Sequence, residues 1–191
     1  MNKEAKKKYR IPERKVLPDT LAKRNPVWAK TLKKEKMWQR DNLHQIKTEE
    51  LSEPAKSQVT VYQKLNDILL EIGGSETCFA YWDSDFTKLL ERGYYRNGKS
   101  RKAKGKACHC HYNASRIYDE RADENDATIC TGMALSNDGM WRQHSWIIQK
   151  YESPSGKAKT RILETTEKRV AYFGFELTDD EANEFAELNY R

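Results

Sequence analysis

Cys108-His109-Cys110-His111-Tyr112-Asn113 closes a basic, glycine-containing loop, residues 97–106, and opens a run of helical character from Asn113 to Glu124. The stretch divides the chain. Before it, Tyr62, Leu65, Ile68, Leu69 and Ile72 recur at helical spacing between Gln58 and Ile72, and Gly73-Gly74 supplies a stop. A shorter helix over Phe86 to Arg92 ends at Gly93. After it the pattern changes to strands. Ala127 to Leu135 is an apolar run closed by the turn Ser136-Asn-Asp-Gly139, and Met140 to Tyr151 is a second strand closed by Ser153-Pro-Ser-Gly156. Thr160 to Thr166 and Val170 to Leu177 give the third and fourth strands, and Thr178-Asp-Asp-Glu181 is a capping box for a last helix through Leu188. Helices first and an antiparallel β-meander afterwards make an α+β fold.

Composition sets the limits around this core. A chain of 191 residues, 34% charged and 37% hydrophobic, leaves room for one domain of ordinary size and a polar extension. Residues 1–60 hold 16 Lys/Arg against 8 Asp/Glu, a net of +8, so the remainder of the +6 total is near −2. Residues 1–57, with Pro12, Pro18 and Pro26, therefore read as a basic extension, partly helical or disordered, and 58–191 as the folded domain. Such an arm suits an acidic protein or nucleic acid. No run approaches the roughly 18 apolar residues of a membrane span, and the N-terminus lacks the apolar region of a secretion signal. The expectation is a cytoplasmic protein with no membrane partner, in which Cys78, Cys108, Cys110 and Cys130 serve as free thiols, metal ligands or catalysts.

The chemistry centres on Cys110. At a helix start, unpaired N–H groups and the helix dipole favour a thiolate. His144, in Trp141-Arg-Gln-His144-Ser-Trp146, is the candidate proton acceptor, and Glu164, in Ile162-Leu-Glu164-Thr-Thr166, the acid that orients it. Side chains alternate along a strand, so neighbouring strands joined by the Ser153–Gly156 hairpin set the imidazole and the carboxylate on one face. The N–H of Cys110 and the side chain of Asn113 are candidate oxyanion donors, and Trp141 and Trp146 candidate walls of a cleft. Each residue also has a structural reading. Cys110 can be a small buried apolar group, His144 a hydrogen-bonded histidine between tryptophans, and Glu164 the partner of Arg142 or Arg161. Cys108 is the alternative nucleophile.

The order of these motifs resembles the papain-like superfamily in its transglutaminase-like and NlpC/P60-like branches. His144-Ser145-Trp146 is similar to the His-x-Trp of the transglutaminase core, and Glu164-Thr165-Thr166 to its Asp-x-Thr, with Glu in place of Asp. Cys110-His111-x-Asn113 and Asp138-Gly139-x-Trp141-Arg142 also resemble small bacterial and phage proteins of that broad type. The likeness covers about residues 105 to 177. It implies a papain-like core and a cysteine peptidase, amidase or transglutaminase-like deamidase acting on a peptide or protein amide, with no cofactor and no metal. The alternative is a binding or adaptor module that uses the basic arm, with structural zinc on Cys108, His109, Cys110 and His111. Four consecutive residues do not readily close one tetrahedral site, and the chain has no Cys-x-x-Cys pair.

Overall fold

The computed structural model describes residues 52–79, 83–124 and 126–190. The readings made for residues 1–51 lie outside them. The described residues divide into two compact units, the first from the part before residue 92 together with 137–142, the second from residues 92–136 and 143–190.

In the first unit, helix α1 (Glu53–Ile72) starts earlier than the apolar spacing suggests. Ser52-Glu-Pro54, which reads as a break, is the helix N-terminus, because a proline there gives up an N–H that has no helical partner. The helix therefore crosses the 57/58 boundary drawn from composition. Leu65, Leu69 and Ile72 lie on its buried face, as their spacing predicts. Strand β1 (Glu76–Cys78) pairs in parallel with Met140–Arg142, and Thr77 Oγ1 donates to Asn66 Oδ1 at 2.8 Å. Helix α2 (Asp85–Arg92) brings Phe86 against Tyr62 and Phe79 in a three-ring cluster, with centroids 4.9 to 5.6 Å apart.

The second unit holds β2 (Tyr94–Asn97), β3 (Ser100–Lys102), α3 (Cys110–Glu120), a 3-10 turn at Ala122–Glu124, and β4 (Ala127–Leu135). It continues with β5 (Met140–Glu152) beyond Arg142, β6 (Ala158–Glu164), β7 (Ala171–Glu176) and α4 (Asp179–Asn189). The architecture is α+β, with a sheet ordered β2-β7-β4-β5-β6-β3. β5 and β6 pair antiparallel through the expected hairpin, from Ile147↔Leu163 to Glu152↔Ala158. The simple meander does not hold. β7 returns to the far side of β4, antiparallel, with Gly132 opposite Gly174. Gly174 has a packing reason, since a Cβ there would meet the Trp146 ring at 2.4 Å. Trp146 thus lies over bare backbone in a cluster with Cys130, Ala134, Ile148, Ile162 and Tyr172.

The basic loop is also more ordered than its composition suggests. β2 pairs antiparallel with β7, and β3 pairs in parallel with β6, matching Lys102 to Glu164. Both are short edge strands without apolar alternation, so periodicity does not reveal them. Helix α4 begins with the expected capping box, Thr178 Oγ1 accepting from Glu181 N at 3.3 Å and Glu181 Oε2 from Thr178 N at 3.0 Å. Among the described residues, no helix is long and apolar enough to cross a membrane.

Candidate active site

Cys110 is the first residue of α3, and the preceding His109 makes no side-chain cap. The first turn therefore keeps its backbone donors for whatever charge forms beside it. Upstream, Cys108 is exposed and carries the left-handed backbone angle φ 59°, turning the chain into the helix. Asn113, fully buried one turn into α3, accepts from Lys106 N at 2.8 Å and donates to Lys106 O at 2.7 Å. It staples helix to loop, the Lys106 backbone engaging both Oδ1 and Nδ2 of its amide. Gly105 is the second fixture. A Cβ there would meet Thr165 O at 2.6 Å and Asn113 Nδ2 at 2.7 Å, so only glycine lets the loop lie this close.

The Cys110 thiol is half-buried and hydrogen-bonds the His144 imidazole. His144 is 1% exposed, and its Nε2 meets Glu164 Oε2 at 2.9 Å and Oε1 at 3.2 Å. Nε2 being occupied, Nδ1 is the ring nitrogen left for the thiol. Glu164, also 1% exposed, has both oxygens supplied with donors. Oε1 accepts from Thr166 N at 2.9 Å and Thr166 Oγ1 at 3.0 Å, and Oε2 accepts from the Tyr172 hydroxyl at 2.9 Å. The structure thus brings Cys110, His144 and Glu164 into one hydrogen-bonded line, drawn from α3, β5 and the end of β6.

The electrostatics follow from these contacts. Burial pushes the Cys110 thiol up, but the His144 hydrogen bond and charge, with the Ser145 and His111 backbone N–H groups, outweigh it and hold the thiol below its ordinary value. Burial likewise disfavours the His144 cation, yet the bonds and charges of Cys110 and Glu164 prevail and raise it. Against its own burial, Glu164 is held down to about 2 by His144, the Thr166 N–H and the Tyr172 hydroxyl. All three directions favour the charged forms. A thiolate beside an imidazolium, backed by a carboxylate, is the charge state these contacts stabilise.

Sequence reasoning missed the residues that complete the arrangement. The Ser145 N–H faces the thiol while its hydroxyl bonds His111 Nδ1 at 2.8 Å and Thr131 Oγ1 at 3.2 Å, tying α3, β5 and β4 together. Alternation assigned Ser145 to the opposite face from His144 and so hid its backbone contribution. Thr166 was visible in the Glu-Thr-Thr run, whereas nothing near Tyr172 in the sequence pointed to Glu164.

The two tryptophans differ from their proposed use. Trp146 is buried, stacked 6.1 Å from the His144 ring and 4.9 Å from Tyr172, so it shields the His144–Glu164 pair from water. Trp141 belongs to the first unit, where its buried indole N–H donates to Gly73 O at 2.9 Å. Arg142 forks onto Asp138, and Arg161 donates to Gln149 Oε1 and lies over the Tyr151 ring, which removes both structural partners suggested for Glu164. Around the cysteine pair, His109 Nδ1 bonds the Ala107 carbonyl and His111 turns to Ser145. Among the described residues, no group of three or more His, Cys, Asp or Glu side chains is arranged to hold a metal ion. Set against protein-family models, curated proteins and solved structures, the chain matches none.

Proposed function

We propose that the protein is a cysteine-dependent acyl-transfer enzyme of the papain-like type, acting on an amide bond of a peptide or protein. The observation that carries this reading is the buried His144, bonded on one side to Glu164 and on the other to a half-buried Cys110 held in favour of its thiolate. The nucleophile is the part of the line that solvent reaches, and its base and orienting acid are dry. In that setting charge interactions are strong and the imidazole keeps one orientation.

The chemistry then runs in two halves. The Cys110 thiolate attacks the amide carbonyl carbon, and the carbonyl π-electrons move to oxygen. As the tetrahedral species collapses, the C–N bond breaks and the His144 Nδ1 proton passes to the leaving amine, leaving a thioester on Cys110. Water, or an acceptor amine in a transfer reaction, gives a proton to the neutral His144 as it attacks the thioester. Collapse expels the thiolate and restores the starting pair. Glu164 stays ionised throughout, holding the imidazole and offsetting its charge. The Cys110 backbone N–H, uncapped at the helix start, is the oxyanion donor this reading assigns.

The test is the pH dependence of iodoacetamide labelling at each cysteine of the native protein, followed by peptide mass spectrometry. Rapid labelling of Cys110 at pH 6, slowed by His144→Ala, is expected. If Cys110 labels no faster than the exposed Cys108, the reading fails and a binding role for this fold takes its place.

A further inference from the structure

Residues 92–118 contain eight Lys or Arg and no Asp or Glu, and Cys110 lies inside this run. The structure divides the eight cations into two groups. Arg92 pairs with Glu181, Arg96 with Glu176 and Arg116 with Glu120. Lys99, Arg101, Lys102, Lys104 and Lys106 are exposed, and among the described residues none of them pairs with a carboxylate. Compensation stops where the chain approaches the nucleophile.

This basic segment is fixed at both ends to the candidate site. On one side the backbone of Lys102 lies opposite that of Glu164 in the β3–β6 register, and Ala103 N donates to Glu164 O at 2.8 Å. On the other, Asn113 grips the Lys106 backbone and Arg116 donates to Lys104 O at 2.9 Å. Gly105 lies too close to Thr165 O and to the Asn113 amide for any side chain. A basic loop that only kept the protein soluble would not need its backbone bonded to the strand end carrying Glu164 and to the helix carrying Cys110. The backbone is held, Lys102 Nζ donates to the Thr166 carbonyl, the Arg101, Lys104 and Lys106 side chains are exposed, and the positive end of α3 adds to the same field.

We infer that this loop is a substrate-recognition rim and that the amide substrate is an acidic peptide segment, its carboxylates lying along Arg101, Lys104 and Lys106 while the amide reaches Cys110. The inference rests on the acyl-transfer reading of Cys110 and deepens it by naming the substrate class. A peptide is favoured over nucleic acid on two observations. The reactive group is suited to amides, and the chain has no Phe, Tyr or Trp between Arg96 and Tyr112 to serve as a stacking platform for bases, Tyr112 itself lying beneath the Lys106 ammonium at 4.0 Å.

The experiment compares two alkylating reagents of similar size on the full chain, anionic iodoacetate and neutral iodoacetamide, reading Cys110 by peptide mass spectrometry. Their rate ratio cancels changes in thiolate content and reports the field at the sulfur. In the triple variant Arg101→Gln, Lys104→Gln, Lys106→Gln the ratio is expected to fall at least about threefold, and in the wild type it should fall as salt rises to about 0.5 M. A six-residue glutamate peptide should slow iodoacetamide labelling of Cys110 in the wild type and lose that protection in the variant. An unchanged ratio in the variant overturns the inference and leaves the acyl-transfer reading standing. Protection by a six-nucleotide oligothymidylate and not by the peptide overturns it in favour of nucleic acid. Slow iodoacetamide labelling of Cys110 in the wild type removes the reading beneath it.

Discussion

Cys108 and Cys110 are two residues apart and lie in different surroundings. Cys108 is exposed on a left-handed turn, while Cys110 starts a helix with an imidazole and two backbone N–H groups directed at its sulfur. Cys110→Ala should therefore abolish turnover of an acidic peptide amide with little loss of stability, whereas Cys108→Ala should retain most of it; product formation followed by mass spectrometry separates the two. Tyr172 acts one step further out. Its hydroxyl touches no reacting atom but donates to Glu164 Oε2, and burial holds the phenol protonated far above the titration range of the site. In Tyr172→Phe the carboxylate loses one of its donors, so its folded-state pKa should rise from about 2 towards the ordinary value. The expected result is a loss of about 1 to 2 kcal/mol in denaturant unfolding at neutral pH. The acid limb of Cys110 labelling should also move to higher pH, which a purely structural role would not produce. An unmoved limb would make Tyr172 a packing residue only.

At the scale of elements, the loop and α3 act as one part. Asn113 and Gly105 set where Cys110 sits relative to the end of β6. Gly105→Ala forces a methyl group against Thr165 O and the Asn113 amide, and backbone or helix must give way. A cost of about 1 to 3 kcal/mol is expected in thermal or denaturant unfolding. Cys110 labelling at pH 6 should slow because the thiol withdraws from His144, although the substituted residue touches neither.

The same elements show what the sequence could and could not reveal. Cys110 at a helix start, the β5–β6 hairpin and the pairing of His144 with Glu164 follow from local periods and turn signals, which depend on neighbours in sequence. The position of β7 does not. A strand that follows β6 can pair with β6 or pass beyond β5 to β4, and that choice is made by long-range packing, here of Trp146 against Gly174 of β7. Because the meander expectation put β7 beside β6, the bond from Tyr172 to Glu164 was out of view. Edge strands β2 and β3 escaped for another reason, since none of their residues is buried and they carry no apolar alternation.

For the second unit as a whole, Glu164 is where the structure depends on pH. Donors reach this one carboxylate from β5 through His144, from β7 through Tyr172 and from the segment after β6 through Thr166, so losing its charge loosens contacts among several elements at once. Glu164 has a folded-state pKa of about 2 against an ordinary 4.5. A carboxylate depressed in the folded state contributes stability that is present above its unfolded value and is lost as pH falls through the folded one. The unfolding free energy should therefore decline between about pH 5 and pH 2, by on the order of 3 kcal/mol from this group. His144 has the opposite sign: its raised pKa contributes stability that is full below 6.5 and fades as pH rises through the folded value. Glu164→Gln separates the two effects. The amide keeps the shape but holds no charge, so the buried imidazole loses the partner that keeps it protonated, and the Cys110 thiol rises towards its ordinary value. Urea unfolding of the variant should show a lower plateau at pH 7 and a much weaker fall towards pH 3, and Cys110 labelling at pH 6 should slow by about tenfold for each unit the thiol pKa rises. A variant with the wild-type acid slope would mean that another carboxylate governs acid stability and that Glu164 does not hold the imidazole.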